Sequence, residues 1–462
     1  MIKGGIKLFS KKTFKLTAIA LSLFSTMSIL GGCSSKPAGS QNSGGSDQKQ
    51  GKVVVTLWNR VFEDWNKAWS EKVVEDFNKS QDKVEIQQKF IPGDAWDQSM
   101  KSAQAAGEAP DIYLMNYGGI AFAAKDGLIE PLDDLIPKTA WDDLYPNVSQ
   151  FVGYKGKHYA YPQLLEPSTV LYYRKDLFKA AGLDPEKPPV TWDELIEDGK
   201  KLTKGDVFGL GVAAVAADMG WATWGWQQQA AGHFAVNDDW SKATVTDSGY
   251  KDLLTFYKKL YDSKIVPEQA LSGYADIKAF GEGKLAMAFC GSWGIGQLKT
   301  TYPDIIPNLG IAVAPTKDGN QDKVTSTVGG WTYVVDAKSK HKKEAADYIT
   351  WLLGSDPSRC VEFFKTSGWS KYSPRKSVDT AINNDAEAKN DMWRKTIAEK
   401  IVPKSVAEPI YAWDISISVA NAIDKVVTNN MKVEDALKES EQEINDYIKN
   451  NNYAGTNPLL AK

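Results

Sequence analysis

Histidine and cysteine are scarce in this chain of 462 residues, with three of each. His158, His233 and His341 are widely scattered, which argues against a histidine-rich metal site, and no EF-hand loop, P-loop or HExxH pattern offers another. The expectation is no metal and no cofactor. Cys33, Cys290 and Cys360 are too few for a disulfide framework. Cys290, inside "AMAFCGS", reads as a buried strand residue, and its pairing with Cys360 stays open. A basic surface is missing too. Beyond residue 32 the 58 acidic residues outnumber the bases, for a net charge near −8. That excludes the basic footprint that nucleic acid calls for. The N-terminal apolar run "LTAIALSLFSTMSIL" (Leu16 to Leu30) falls short of the about 20 residues a spanning helix needs.

What is present at the N-terminus is a secretory pattern. Lys3, Lys7, Lys11, Lys12 and Lys15 precede that apolar run, and small residues follow it. "LGGC", Leu30 to Cys33, resembles the lipobox of bacterial lipoproteins, in which the cysteine becomes the first mature residue and carries diacylglycerol. Residues 1–32 are therefore expected to be a signal peptide. Residues 33–51, rich in Ser, Gly and Gln, are expected to form a lipidated flexible tether. The implied product is a soluble domain held to the outer face of a bacterial cell membrane through Cys33, since two lipid chains suffice for stable anchoring.

The remaining ~410 residues exceed one typical core, so two domains are expected. "KVVVTLW", "KVEIQQKF" and "PDIYLMN" read as strands separated by two helices, which implies an α/β layer with a largely parallel sheet. Trp65, Trp69, Val73 and Phe77 form an inward stripe on the first helix. Thr191 and Glu194 make a capping-box pattern. Later segments return to strand at "GIAVAP" and "TSTVGGWTYVV", and the last hundred or so residues are mostly helical, with Ala436, Leu437, Ile444 and Ile448 as a packing stripe. Two lobes that the chain crosses more than once are the expected outcome.

Six segments in order carry a resemblance. They are "DGLIEPLDDL", "YKGKHYAYP", "LYYRKDLFKAAGLDPEKPPVTWDEL", "FGEGKLAMAFCGSW", "VGGWTYVV" and "KKEAADYITWLL". Together they resemble the extracellular solute-binding proteins of ABC importers, specifically the sugar-binding family that includes maltose-binding protein. The resemblance implies a two-lobe α/β fold of the periplasmic-binding-protein type, with a multi-crossing hinge and the ligand in the cleft between the lobes. By analogy the crossings fall near Gln163 to Ser168, Gly310 to Pro315 and Gly354 to Pro357. Lobe I is then 52–165 plus 312–355, and lobe II is 166–311 plus 356–462. The implied protein is a monomer that captures an oligosaccharide and delivers it to membrane permease subunits, without catalysis.

A sugar ring presents an apolar C–H face and a rim of hydroxyls, so a site needs flat aromatics beside carboxylates, amides or arginine. Ligands in open α/β sheets collect outside the carboxyl ends of strands. By that rule the candidates are Trp58, Asn59 and Arg60 with Glu63 just beyond, then Asn116 and Tyr117. Glu166 is placed in the cleft by the resemblance, and Trp293 corresponds in position to a tryptophan that stacks on sugar in the family. Trp331 follows two glycines that permit close backbone approach. Trp369, Arg375 and Trp413 match the family's late cleft segments. In "GWATWGW", Trp221 and Trp224 are about 60° apart on a helix and read as platform, while Trp226 turns away and reads as core. The plain alternatives are helix caps, tight bends and core packing. Among functions, the rival is a lipid-anchored glycoside hydrolase. The acid pairs Asp133/Asp134, Asp142/Asp143 and Asp238/Asp239 are only sequence neighbours and give it no support.

Overall fold

The computed structural model describes residues 51–460 apart from Glu63 and Asp94. The expected signal peptide, Cys33, all of the tether but Gly51, and Glu63 lie outside the described residues. The strands are β1 (Val53–Val61), β2 (Val84–Pro92), β3 (Ile112–Asn116), the small hairpin β4 (Gly153–Tyr154) and β5 (Lys157–His158), and β6 (Tyr161–Pro167). They continue with β7 (Val170–Arg174), β8 (Phe208–Gly211), β9 (Leu285–Cys290), β10 (Leu309–Ala312), β11 (Thr327–Val335) and β12 (Val406–Ala407).

Two sheets organise the fold. The first has the order β12-β11-β3-β1-β2, with β6 also paired to β11; the second is β10-β7-β9-β8. β1, β2 and β3 run parallel, as expected from strand–helix–strand alternation. β11 enters the first sheet antiparallel to β3 and β6, so the sheet is mixed. Val55 and Leu57 of β1 turn inward and meet the buried stripe Trp69, Val73 and Phe77 of the helix Asp64–Ser80. The faces of the second sheet divide by strand alternation. Tyr172, Ala288 and Cys290 join the core of the first sheet, whereas Leu171, Tyr173 and Met287 join a second core. That second core takes in the helices Trp192–Leu202, Ser248–Asp262, Trp413–Thr428 and Val433–Asn450. Thr191 and Glu194 form the capping box that the sequence signals. All four residues of the last helical stripe are buried.

The chain leaves the first sheet between β6 and β7, at Ser168–Thr169, and returns between β10 and β11. Hydrogen bonds tie these connections together: the Ser168 and Thr327 hydroxyls are 2.6 Å apart, and the Thr169 amide donates to Ser326 Oγ at 2.9 Å. The third passage differs from expectation. The helix Pro357–Thr366 stays with the first core, because Phe363 packs edge-on against Trp65 and Trp69 at 5.2 and 4.8 Å. The chain then returns through β12, which pairs with β11, and joins the second core from Tyr411 onward. The expected crossing at Gly354 to Pro357 is thus followed by a helix that packs on the helix Asp64–Ser80. The stretch from 356 to 407, assigned from sequence to the second lobe, bonds to both halves: Arg375 donates to Asp143 and Tyr145 to Asp379, whereas Trp393 donates to the Leu309 carbonyl and Lys299 to Asp391.

Candidate functional site

Where β6, β11 and the chain after β12 meet, three ionisable side chains converge. Glu166 of β6 accepts a hydrogen bond from the Lys371 ammonium, and both are largely buried. Gly329 of β11 lies opposite Glu166 in the strand pairing. The carboxylate of half-buried Glu408 covers that glycine so closely that a Cβ there would stand 2.3–2.5 Å from its carboxyl atoms. Burial, followed by the charge of Glu166, pushes the Glu408 carboxyl up to about 8, so it holds its proton at neutral pH. Gly330 has φ +149°, and a Cβ would meet the Leu164 carbonyl oxygen at 2.1 Å. The paired glycines thus serve a backbone crossing and a close-lying carboxyl at once.

Aromatic groups flank this cluster. On the first-sheet side Phe62 and Trp331 pack edge-on at 5.0 Å, and the Arg60 guanidinium lies over both rings at 4.8 and 4.9 Å. On the second-sheet side Trp293, just past β9, packs edge-on against Tyr274 at 5.6 Å and donates its indole N–H to the Ala275 carbonyl at 3.1 Å. The Tyr274 hydroxyl donates to the Ser168 carbonyl at the first crossing, and its backbone amide donates to Asp218 at 3.0 Å. Asp218 begins the approach to the third group. Trp221 and Trp413 pack at 4.9 Å and remain 39% and 36% exposed. Gly220 makes this possible, since a Cβ there would strike the Trp413 ring at 2.6 Å.

The "GWATWGW" cluster divides by a helix break rather than by angle alone. One helix ends at Ala222 and the next starts at Trp224, with Thr223 bonded back to the Met219 carbonyl at 2.7 Å. Trp226 is core, against Trp192, Phe256 and Phe289. Trp224, expected as platform, is only 4% exposed and donates to Ser416 Oγ at 3.0 Å. It supports Trp221 from beneath, edge-on at 4.8 Å.

Other expected site residues have structural surroundings. Asn59 points into the core, where it bonds Gln88 and Tyr333. Trp58 faces the other way, beneath the Lys89 ammonium at 4.5 Å. Asn116 caps the helix that follows it, accepting the Gly119 amide at 2.9 Å. Tyr117 is buried and donates to the Leu164 carbonyl at 3.2 Å. Trp369 is 1% exposed, with its indole N–H on Glu387. Arg375 is a buried clamp that donates to Asp143 at 2.7 Å and to the carbonyls of Leu353 and Ser355. Neither Trp369 nor Arg375 offers a face to a ligand. Sequence reasoning missed Phe62, Tyr274, Lys371 and Glu408. The signal for the last was a carboxylate directly before "PIYAW".

Open indole faces on one part of a protein and carboxyl, ammonium and guanidinium groups on another suit a ring that is apolar on its face and hydroxylated at its edge. Two α/β halves with such groups at the crossings between them define a two-lobe binding protein. The bacterial extracellular solute-binding protein family model matches residues 61–357. The chain belongs to that family, the one the six segments resembled. It is 30% identical over 272 residues to a mannitol-binding protein of Pseudomonas aeruginosa, covering 56% of this chain and 59% of the relative. It is 25% identical over 311 residues to a maltotriose-binding protein of Pyrococcus abyssi, covering 64% and 60%. The chain thus spans about three fifths of the length of these relatives. The crystal structure of a cyclic α-maltosyl-1,6-maltose binding protein from Arthrobacter globiformis superposes with a TM-score of 0.71 at 25% identity, covering 87% of this chain and all of the other.

Proposed function

We propose that the protein is the membrane-anchored, extracellular substrate-binding component of an ABC importer, capturing a carbohydrate, specifically an oligosaccharide, by hinge closure and delivering it to the permease. In this reading Cys33 carries the lipid and the protein acts as a monomer without catalysis. Trp221 and Trp413 stack on sugar faces, with Trp293 and Trp331 offering further platforms. Glu166, Lys371, Glu408 and Arg60 meet hydroxyls. The closing bodies are the first sheet with the segment up to β12, and the second sheet with the C-terminal helices.

The observation that carries this reading is the exposed Trp221–Trp413 shelf, whose close packing Gly220 permits. Large aromatic faces left open beside polar groups are costly unless something covers them. Relatives named for mannitol, maltotriose and a cyclic maltosyl-maltose support a polyhydroxylated ligand. The glycoside hydrolase reading draws on one specific feature, a protonated Glu408 near Glu166. Against it, Lys371 already neutralises Glu166. Incubation with labelled oligosaccharides separates the two: saturable binding with the sugar recovered intact supports the binder, and hydrolysis products would sink it.

A further inference from the structure

A cavity of about 660 Å³ lies on the other side of β6 from the charged cluster. Side chains alternate along an extended chain, so Leu165 and Tyr372 line the cavity while their neighbours Glu166 and Lys371 pair with each other. The two sites therefore share backbone but not side chains. Tyr145, Asp379 and Arg394 complete the polar part of the wall.

Two of these groups lack what buried polar groups normally have. Arg394 is more than nine-tenths buried, yet among the described residues its guanidinium makes no hydrogen bond, and its ion-pair partner Asp379 stands at 3.6 Å. That is beyond hydrogen-bonding distance for five N–H donors. Tyr372 is 5% exposed and its hydroxyl has no partner among the described residues. Asp379 is already engaged, accepting from the Tyr145 hydroxyl at 2.8 Å, and burial pushes its carboxyl up toward the neutral form. Two exposed lysines, Lys389 and Lys395, stand at the rim opposite a single exposed acid, Glu399. The wall thus holds an arginine fork with only a long contact to Asp379 and a phenol without a partner, under a rim with an excess of positive charge.

We propose that this cavity is a second binding site, for a small organic anion whose carboxylate or phosphate group accepts hydrogen bonds from Arg394 and Tyr372. An oxyanion supplies acceptors in the planar spacing that a guanidinium matches. The volume fits a molecule of metabolite size rather than a bare ion.

The test is calorimetric titration of the protein with sodium citrate and, separately, with sodium phosphate, against sodium chloride at equal ionic strength. Citrate or phosphate is expected to bind saturably to the wild type. Tyr372→Phe deletes only an oxygen without a partner and is expected to fold normally while weakening that binding about tenfold. Arg394→Lys keeps the charge but loses the fork, and a loss at least as large is expected. Carbohydrate affinity measured on the same variants should stay within about twofold of wild type, since the shelf is elsewhere. Saturable binding of neither anion, or binding equally strong in both variants, overturns the proposal.

Discussion

Glu408→Gln tests the charged cluster through its dependence on pH. The Glu408 carboxyl titrates at about 8 in the folded chain, against 4.5 as its ordinary value. Between those values the folded state holds a proton that the unfolded state has released. The group's contribution to stability is therefore full below about pH 4.5, declines as pH rises, and levels off above about pH 8. A tenfold change in proton affinity is worth about 1.4 kcal/mol, so the full difference is on the order of 5 kcal/mol. Partial solvent access at a half-buried carboxyl reduces this to about 2–4 kcal/mol. Glutamine occupies the same volume over Gly329 and does not titrate. Denaturant unfolding of both proteins across about pH 5 to 9 should show the variant gaining about 2–4 kcal/mol relative to wild type at the alkaline end. Parallel pH profiles would refute the placement of Glu408 as a protonated neighbour of Glu166.

Gly330→Ala is expected to destabilise the fold by about 2–3 kcal/mol in thermal melts, through the Leu164 carbonyl and the positive φ; an unchanged midpoint contradicts the crossing geometry. Trp224→Ala should cost about 3–5 kcal/mol of stability, because this ring is buried and bonded to Ser416. Trp221→Ala should leave the ligand-free melt within about 1 kcal/mol of wild type. Equal destabilisation by the two would show that they do not divide into support and shelf. Cys290 and Cys360 are free and buried, with thiols pushed up to about 12 and about 11 by that burial. Native protein should react with an aromatic disulfide reagent only as fast as it opens, and both thiols should appear at once in denaturant.

Much of the fold is legible in local pattern. The βαβ start, the Trp69–Val73–Phe77 stripe and the Thr191 capping box each depend on residues a few positions apart, where spacing alone decides. In "GWATWGW" the burial of Trp226 and the exposure of Trp221 were legible. Trp224 was not, because its burial depends on Ser416, 192 residues away, and on a helix break at Thr223 that periodicity does not signal. Arg375 and Trp369 look like ligand groups in sequence because long-range clamping leaves no local trace; Asp143 lies 232 residues from Arg375. Glu408 escaped notice for the same reason. Its place over Gly329 depends on the pairing of β12 with β11, between segments as distant in sequence as Thr327 and Val406.

The measurement that bears most directly on carbohydrate capture is a tryptophan-fluorescence titration with a panel of neutral oligosaccharides and polyols, on wild type, Trp221→Ala and Trp413→Ala. A saturable change is expected for at least one carbohydrate, and each substitution should weaken its binding about 5- to 30-fold through the lost stacking face. A response to no carbohydrate in the panel, or affinities that both variants leave unaltered, would contradict the account of the shelf as a sugar platform.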